Sequence, residues 1–314
     1  MPRVAAIDCG TNSIRLLVAD VTKRDDGTSW LRDVHREQRV VRLGQGVDAT
    51  GMLNPEALQR TRIALADYTA ILRRKGAESV RMVATSATRD AGNRDDFFGM
   101  TEAVLGVPAE VISGDEEASL AFTGAVGDLD PEDGPFLVVD VGGGSTELVL
   151  GTWDGVKATP KASRSTDIGC VRITERCLRS DPPTAEEIAQ ARELAGQVLQ
   201  SAFDVVPVHE AKTWIGVAGT ATTMAAIALG LPEYDSDAIH LSRIAKEKLV
   251  ATSEDLLRLD HDQRAADPVI HPGRVDVIGG GSLIFQVLAE RLTGVDELVV
   301  SEHDILDGIA LAQL

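Results

Sequence analysis

Two stretches of the chain share one pattern of apolar and polar positions. AAIDCGTNSIRLLVADV (5–21) and FLVVDVGGGSTELVLG (136–151) each carry an apolar run ending in Asp, a Gly two residues later, a short polar turn and a second apolar run. Apolar runs of this length around a Gly-containing turn predict β-hairpins. Asp8 and Asp140, like Gly10 and Gly142, stand 132 residues apart. A repeated strand–Asp–x–Gly–turn–strand unit predicts two related domains, each presenting its turn to the same cleft.

Between and after the hairpins the pattern turns helical. Asn54-Pro55-Glu56 opens a periodic stretch through Leu72 that Gly76 closes, with Pro suited to the first helical position. Val80–Ala84 reads as a strand running into a polar loop and a helix. Ser113-Gly114-Asp115-Glu116 and Thr184-Ala185-Glu186-Glu187 have capping-box spacing, the second ahead of a helix to about Ala202. GDLDPEDGP (127–135) is a turn-rich linker. WIGVAGTATTMAAI (214–227) and VDVIGGGSLIFQVL (275–288) each predict a strand, a small-residue turn and a helix, and 301–314 predicts a short helix that returns to the first domain. The alternation is that of an α/β protein. The expected domains are 1–122 and 123–302, with 303–314 packing on the first.

At 314 residues the chain exceeds the usual single core, in keeping with two domains. No apolar run approaches the roughly 20 residues of a membrane helix, and the first residues lack a charged-then-apolar leader, so a cytoplasmic protein without membrane partners is expected. Cys9, Cys170 and Cys177 have no metal-ligand spacing and read as free thiols. The net charge of −18 excludes a nucleic-acid binder, which needs a basic surface. Residues 1–122 carry 16 basic against 18 acidic side chains and residues 123–314 carry 15 against 31, so the acidity belongs to the second part. Most of these carboxylates read as a solvated face.

Gly-, Ser- and Thr-rich turns leave backbone amides open to phosphate. Gly10, Thr11, Asn12 and Ser13 form one such candidate, and Gly142, Gly143, Gly144, Ser145 and Thr146 the other. A single turn of this kind is more often structural, but two matched turns, each beside an Asp, point to phosphate. Carboxylates next to such turns hold Mg²⁺ against phosphate oxygens, which makes Asp8, Asp140 and Glu147 the metal candidates.

DCGTNSIRLLV, VVDVGGGSTELVLG, VATSATRDAGN and ISGDEEASLAF, in this order, resemble the signature motifs of the exopolyphosphatase/guanosine pentaphosphate phosphatase family. The likeness continues through VRLGQGVDATGMLNPEAL, GCVRITERCL and SEHDILDG. It implies two ribonuclease-H-like domains of the actin and hexokinase superfamily around an active-site cleft, Mg²⁺ as cofactor, and frequently a homodimer. It also implies that Glu117 orients or deprotonates the attacking water and that Arg89 contacts the phosphate chain. A carboxylate in the first turn of a helix suits the first role and a guanidinium fork the second. Without the resemblance Glu116 fits a capping role better than Glu117, and Arg89 reads as a surface arginine.

The activity implied is Mg²⁺-dependent removal of the terminal phosphate of inorganic polyphosphate, with guanosine pentaphosphate as the alternative substrate that the residues fit equally. An ATPase or kinase would need an adenosine pocket, which GVAGTATT and VIGGGSL match only loosely. A non-catalytic polyphosphate or alarmone sensor is disfavoured by intact Glu117 and Asp140. Long members of the family continue into helical domains beyond the point matching Leu314. The resemblance therefore implies preserved catalysis, a weaker grip on long polyphosphate and a preference for short chains. His261-Asp262 and His303-Asp304 resemble pieces of another metal-phosphohydrolase motif, but the sequence supplies no further ligands for it.

Overall fold

A computed structural model describes residues 1–314. The chain divides into two compact units. The first comprises Met1–Gly127, Asp154–Ala158 and Asp304–Leu314, and the second Asp128–Trp153 and Thr159–His303. The expected division at 122/123 falls inside the helix Gly114–Ala125, all of which stays with the first unit.

The sheet of the first unit contains β1 (Arg3–Cys9), β2 (Ser13–Lys23), β3 (Ser29–Val40), β4 (Ser79–Ala84) and β5 (Glu110–Val111) in the order β3-β2-β1-β4-β5. β1–β2 and β2–β3 are antiparallel, whereas β1–β4 and β4–β5 are parallel. Side chains alternate across a strand, so an uninterrupted apolar run is stable only when both faces are covered. In β1, Ala5, Ile7 and Cys9 enter a core with Leu65, Tyr68 and Leu72 of the helix Pro55–Lys75. Val4 and Ala6 face Leu120, Ala121, Ile305 and Ile309 instead. The C-terminal helix Ile305–Leu311 thus completes the first sheet's second face. It lies so close to Gly114–Ala125 that a Cβ at Gly124 would overlap the Asp304 carbonyl, and one at Gly308 the Leu120 carbonyl.

In the second unit β6 (Phe136–Val141), β7 (Thr146–Trp153), β8 (Ala158–Thr166), β9 (Thr213–Val217), β10 (Ser242–Ala245) and β11 (Glu297–Val300) run β10-β11-β9-β6-β7-β8. Read from β8, the order repeats that of the first sheet with one added edge strand. Antiparallel β6–β7 and parallel β6–β9 match β1–β2 and β1–β4. Each unit is therefore a ribonuclease-H-like α/β domain of the actin-like type.

Three local expectations change. Ser113 caps its helix by accepting from the Glu116 amide, but the Glu116 carboxylate goes to Arg81 (2.8 Å), so the box is not reciprocal. No loop follows β4, because the helix Ser86–Asp90 begins almost at once and Arg94–Leu105 follows. VDVIGGGSL contains no strand, and Gly279–Gly281 lie in the first turn of the helix Ile278–Arg291. Those glycines permit close packing, since a Cβ at Gly280 would meet Ile173 at 2.8 Å and one at Gly281 would meet the Thr220 Oγ1 at 2.9 Å. In GVAGTATT the left-handed residue is Ala218, with φ of 63°. At Gly219 the Arg274 guanidinium, the far end of a flexible side chain, lies where a Cβ would be.

Candidate active site

The candidate residues of the first unit gather at the C-terminal ends of its parallel strands β1, β4 and β5, where open α/β sheets bind ligands. Asp8 lies near the end of β1, directly opposite Arg15 across the hairpin, and is 4% exposed. Arg15 donates to Asp8 Oδ2 from Nε (3.0 Å) and Nη2 (2.7 Å), and its Nη1 bonds Asp304. The other oxygen of Asp8, Oδ1, is buried without a hydrogen-bond partner. Burial raises the Asp8 carboxyl above its usual range, and Arg15 opposes the shift. Burial also acts on Asp304, but Arg15, the Leu306 amide and Arg36 outweigh it and hold that carboxyl low.

The turn after Asp8 closes with Gly10 N–H donating to Ser13 O at 2.9 Å. The Thr11 carbonyl accepts from Gly44 (2.8 Å) and the Asn12 carbonyl from Val41 (3.0 Å) and Arg42 (2.8 Å). In a planar trans peptide the following N–H points opposite to the carbonyl, so the Asn12 and Ser13 amides face away from the 41–44 segment. Thr11 is pinned through its hydroxyl to Ser86 at 2.8 Å.

Glu117 and Arg89 are brought together. Arg89, on the helix after β4, donates from Nη1 to Glu117 Oε2 (3.1 Å) and to the Ile112 carbonyl (3.1 Å). Glu117 stands in the first turn of Gly114–Ala125 and is 8% exposed, whereas its neighbour Glu116 is exposed and paired with Arg81. The carboxylate is thus aimed inward by helix phase, with the helix N-terminus and a guanidinium beside it.

The second unit repeats the hairpin with a different charge. Gly142 N–H donates to Ser145 O at 3.0 Å, the counterpart of the Gly10–Ser13 bond. Gly142 and Gly143 carbonyls accept from Cys170 (2.9 Å) and from Val171 (2.9 Å) and Arg172 (3.2 Å), at the start of the helix Cys170–Cys177. Peptide planarity then turns the Gly143 and Gly144 amides the other way. Gly169 seats this helix end on the turn, because a Cβ there would lie 2.5 Å from the Gly143 carbonyl. Opposite Asp140, at the position that Arg15 occupies in the first hairpin, stands Glu147. These two carboxylates are 8% and 2% exposed, and Ser165 Oγ donates to Glu147 at 2.7 Å. Like charges directly opposite in an antiparallel pair repel at short range, so a cation beside them is electrostatically favoured.

One placement qualifies the sequence reading. Thr146 is fully buried and its hydroxyl donates to the Ile168 carbonyl at 2.6 Å, which commits that side chain to the fold. Arg15, Asp304, Ser165 and Gly169 escaped the sequence reading. For Arg15 a signal existed, since it stands 132 residues before Glu147, in register with the repeat. Asp304 appeared in the sequence only within SEHDILDG and as half of a His-Asp pair, and nothing there linked it to an arginine nearly 300 residues away.

A sequence model described as the Ppx/GppA phosphatase family matches residues 20–313. The chain is 56% identical to exopolyphosphatase 2 of Mycobacterium tuberculosis, over 99% of this chain and 98% of that protein. Among solved structures it resembles an exopolyphosphatase-like protein at 43% identity, with a TM-score of 0.92 and coverage of 99% and 98%. It also resembles the Aquifex aeolicus PPX-GPPA enzyme at 30% identity, with a TM-score of 0.79 and coverage of 99% of both chains.

Proposed function

This chain belongs to the Ppx/GppA phosphatase family, and on that premise we propose that it is an exopolyphosphatase, hydrolysing the terminal phosphoanhydride of inorganic polyphosphate. The observation that carries the reading is the second hairpin, in which buried Asp140 and Glu147 face each other beside a turn whose amides are directed away from its carbonyl partners. Two buried carboxylates beside open amides suit a divalent cation and, with it, an oxygen-rich anionic substrate.

The donor set fits a hard divalent ion. Asp8, Asp140 and Glu147 offer carboxylate oxygens only, and Asp8 Oδ1 is a buried acceptor without a donor. Within the second unit Asp140 and Glu147 would hold Mg²⁺, which when bound would neutralise charge on the transferring phosphoryl, and within the first unit Asp8 offers a carboxylate of the same kind. The remaining work belongs to the chain. Glu117 accepts a proton from water as the water oxygen attacks the terminal phosphorus, and the bond to the bridging oxygen breaks, leaving a shortened chain and orthophosphate. Arg89 holds Glu117 and stabilises charge on the phosphoryl oxygens. In the second unit the amides of Gly143 and Gly144, and in the first unit those of Asn12 and Ser13, offer donors to phosphate oxygens without adding a full charge.

Phosphate release should be measured from polyphosphates of defined length, from guanosine pentaphosphate and from ATP, with and without Mg²⁺. Mg²⁺-dependent release fastest from polyphosphate is expected. Faster release from guanosine pentaphosphate would transfer the assignment to that substrate, and release from ATP alone would refute both.

A further inference from the structure

His303, which the sequence offered only as half of a His-Asp pair, has its partners elsewhere in the fold. Its Nδ1 lies 2.6 Å from Asp128 Oδ2, across 175 residues of sequence, and His240 Nε2 lies 3.4 Å from the same oxygen. The two imidazole rings are 4.7 Å apart, centroid to centroid. One ligand atom from each of the three residues falls within 4.8 Å of the other two. We propose that Asp128, His240 and His303 form a binding site for a borderline first-row divalent ion, with Zn²⁺ its preferred occupant, separate from the carboxylate sites assigned to catalysis.

The fold builds this grouping. β10 and β11 are antiparallel with Ser242 opposite Val300, so His240, two residues before β10, and His303, three residues after β11, emerge at the same end of the pair. Buried Ser301 fixes the second histidine, its hydroxyl donating to the His303 carbonyl at 2.9 Å and accepting from the His303 amide at 3.1 Å. Asp128 is the first residue of the second unit and His303 the last, so an ion here ties together the two ends of that unit.

The chemistry selects the metal. Two imidazoles and one carboxylate suit Zn²⁺ and Co²⁺, whereas Mg²⁺ prefers oxygen ligands and retains its waters. Ligands about 2.0–2.1 Å from a tetrahedral Zn²⁺ are separated by roughly 3.4 Å. The His240–Asp128 separation already meets this value, and the His303–Asp128 separation meets it once the exposed Asp128 side chain retreats by less than about 1 Å. The ion displaces the proton that His303 and Asp128 share. At His240 it takes Nε2, so the ring proton moves to Nδ1 and the 3.3 Å bond accepted there from the Glu302 amide is given up. That loss makes binding moderate rather than tight, leaving a site that responds to the supply of metal.

The probe is Co²⁺, followed by its visible ligand-field absorption, titrated into metal-stripped protein in millimolar Mg²⁺ and then displaced by Zn²⁺. One Mg²⁺-resistant Co²⁺ per chain is expected, with affinity reduced at least about 100-fold in His240→Ala and in His303→Gln. The signal should persist in Glu147→Gln, which separates this site from the carboxylates assigned to catalysis. Zn²⁺ should also raise the melting temperature of the wild type but not of His240→Ala, and far-UV circular dichroism establishes that each variant is folded. Absence of Mg²⁺-resistant Co²⁺ in the wild type, or binding unchanged in both folded histidine variants, overturns the proposal.

Discussion

Glu117→Gln isolates the proposed chemical step with little change of shape. Gln keeps the length and planarity of Glu, and its amide oxygen can still accept the 3.1 Å bond from Arg89 Nη1. What disappears is the proton-accepting carboxylate. General-base catalysis contributes about 10²–10⁴ in rate, which corresponds to roughly 2.7–5.5 kcal/mol of barrier. Replacing the ion pair by a neutral hydrogen bond at a partly exposed arginine costs about 1 kcal/mol of stability, so the variant should remain folded. The assay is steady-state phosphate release from a short polyphosphate, with kcat and KM determined separately. kcat should fall by about 10²–10⁴ while KM stays within about threefold, because the interaction lost is made only in the transition state. Glu116→Gln is the control. It breaks an exposed pair with Arg81, worth about 0–1 kcal/mol, and should leave kcat unchanged. A crippled Glu116→Gln beside an active Glu117→Gln would show that burial has misdirected the assignment within the pair.

Four further outcomes follow from particular contacts. Gly143→Val puts a β-branched side chain on the amide-presenting turn, so activity should fall far more than melting temperature, and parallel loss of both would make the turn purely structural. Gly308→Ala drives a methyl into the Leu120 carbonyl and should cost about 3 kcal/mol in urea unfolding, or more if the helix Ile305–Leu311 cannot shift; an effect below about 0.5 kcal/mol would contradict the close approach. Asp20, paired with Arg3 (2.7 Å) and Arg32 (2.6 Å), has its carboxyl lowered to about 2 by those hydrogen bonds. A depressed carboxyl stabilises the fold above its unfolded value near 4, and the contribution fades as pH falls toward 2. After allowance for the exposed arginines it amounts to about 1 kcal/mol, which Asp20→Asn should remove at pH 6 and barely alter at pH 2. Finally, kcat/KM should favour short polyphosphates at low salt, and raising ionic strength at fixed Mg²⁺ should relieve the penalty on long ones, because the acidity of residues 123–314 is screened over about 8 Å at physiological salt; a steady rise with length at low salt would rule this out.

What the sequence determined by itself was local or repeated. The hairpins at 5–21 and 136–151, the caps at Asn54 and Thr184, and the Asp–x–Gly turns depend on neighbours a few positions away, and the 132-residue repeat made the duplicated fold legible. Where a pattern was ambiguous, local reading erred. Gly279–Gly281 read as a turn and proved to be helix, because a glycine required for close approach to Thr220 looks in sequence like one required for bending.

Only the tertiary structure decided which charges meet. The resemblance distinguished Glu117 from Glu116, and burial in the fold now separates them physically, since both begin the same helix and differ only in phase. The counterparts Arg15 and Glu147 give the two hairpins opposite electrostatics: one Asp is neutralised across the strand pair and the other is doubled. Asp304 on Arg15, and Asp128 with His240 and His303, join residues separated by 63 to 289 positions. Hydrophobic periodicity specifies which face of an element is buried, but it does not specify which distant element covers that face. Polar partners across such contacts therefore have no local signature, and they exist only once the chain has returned, at its last helix, to the sheet with which it began.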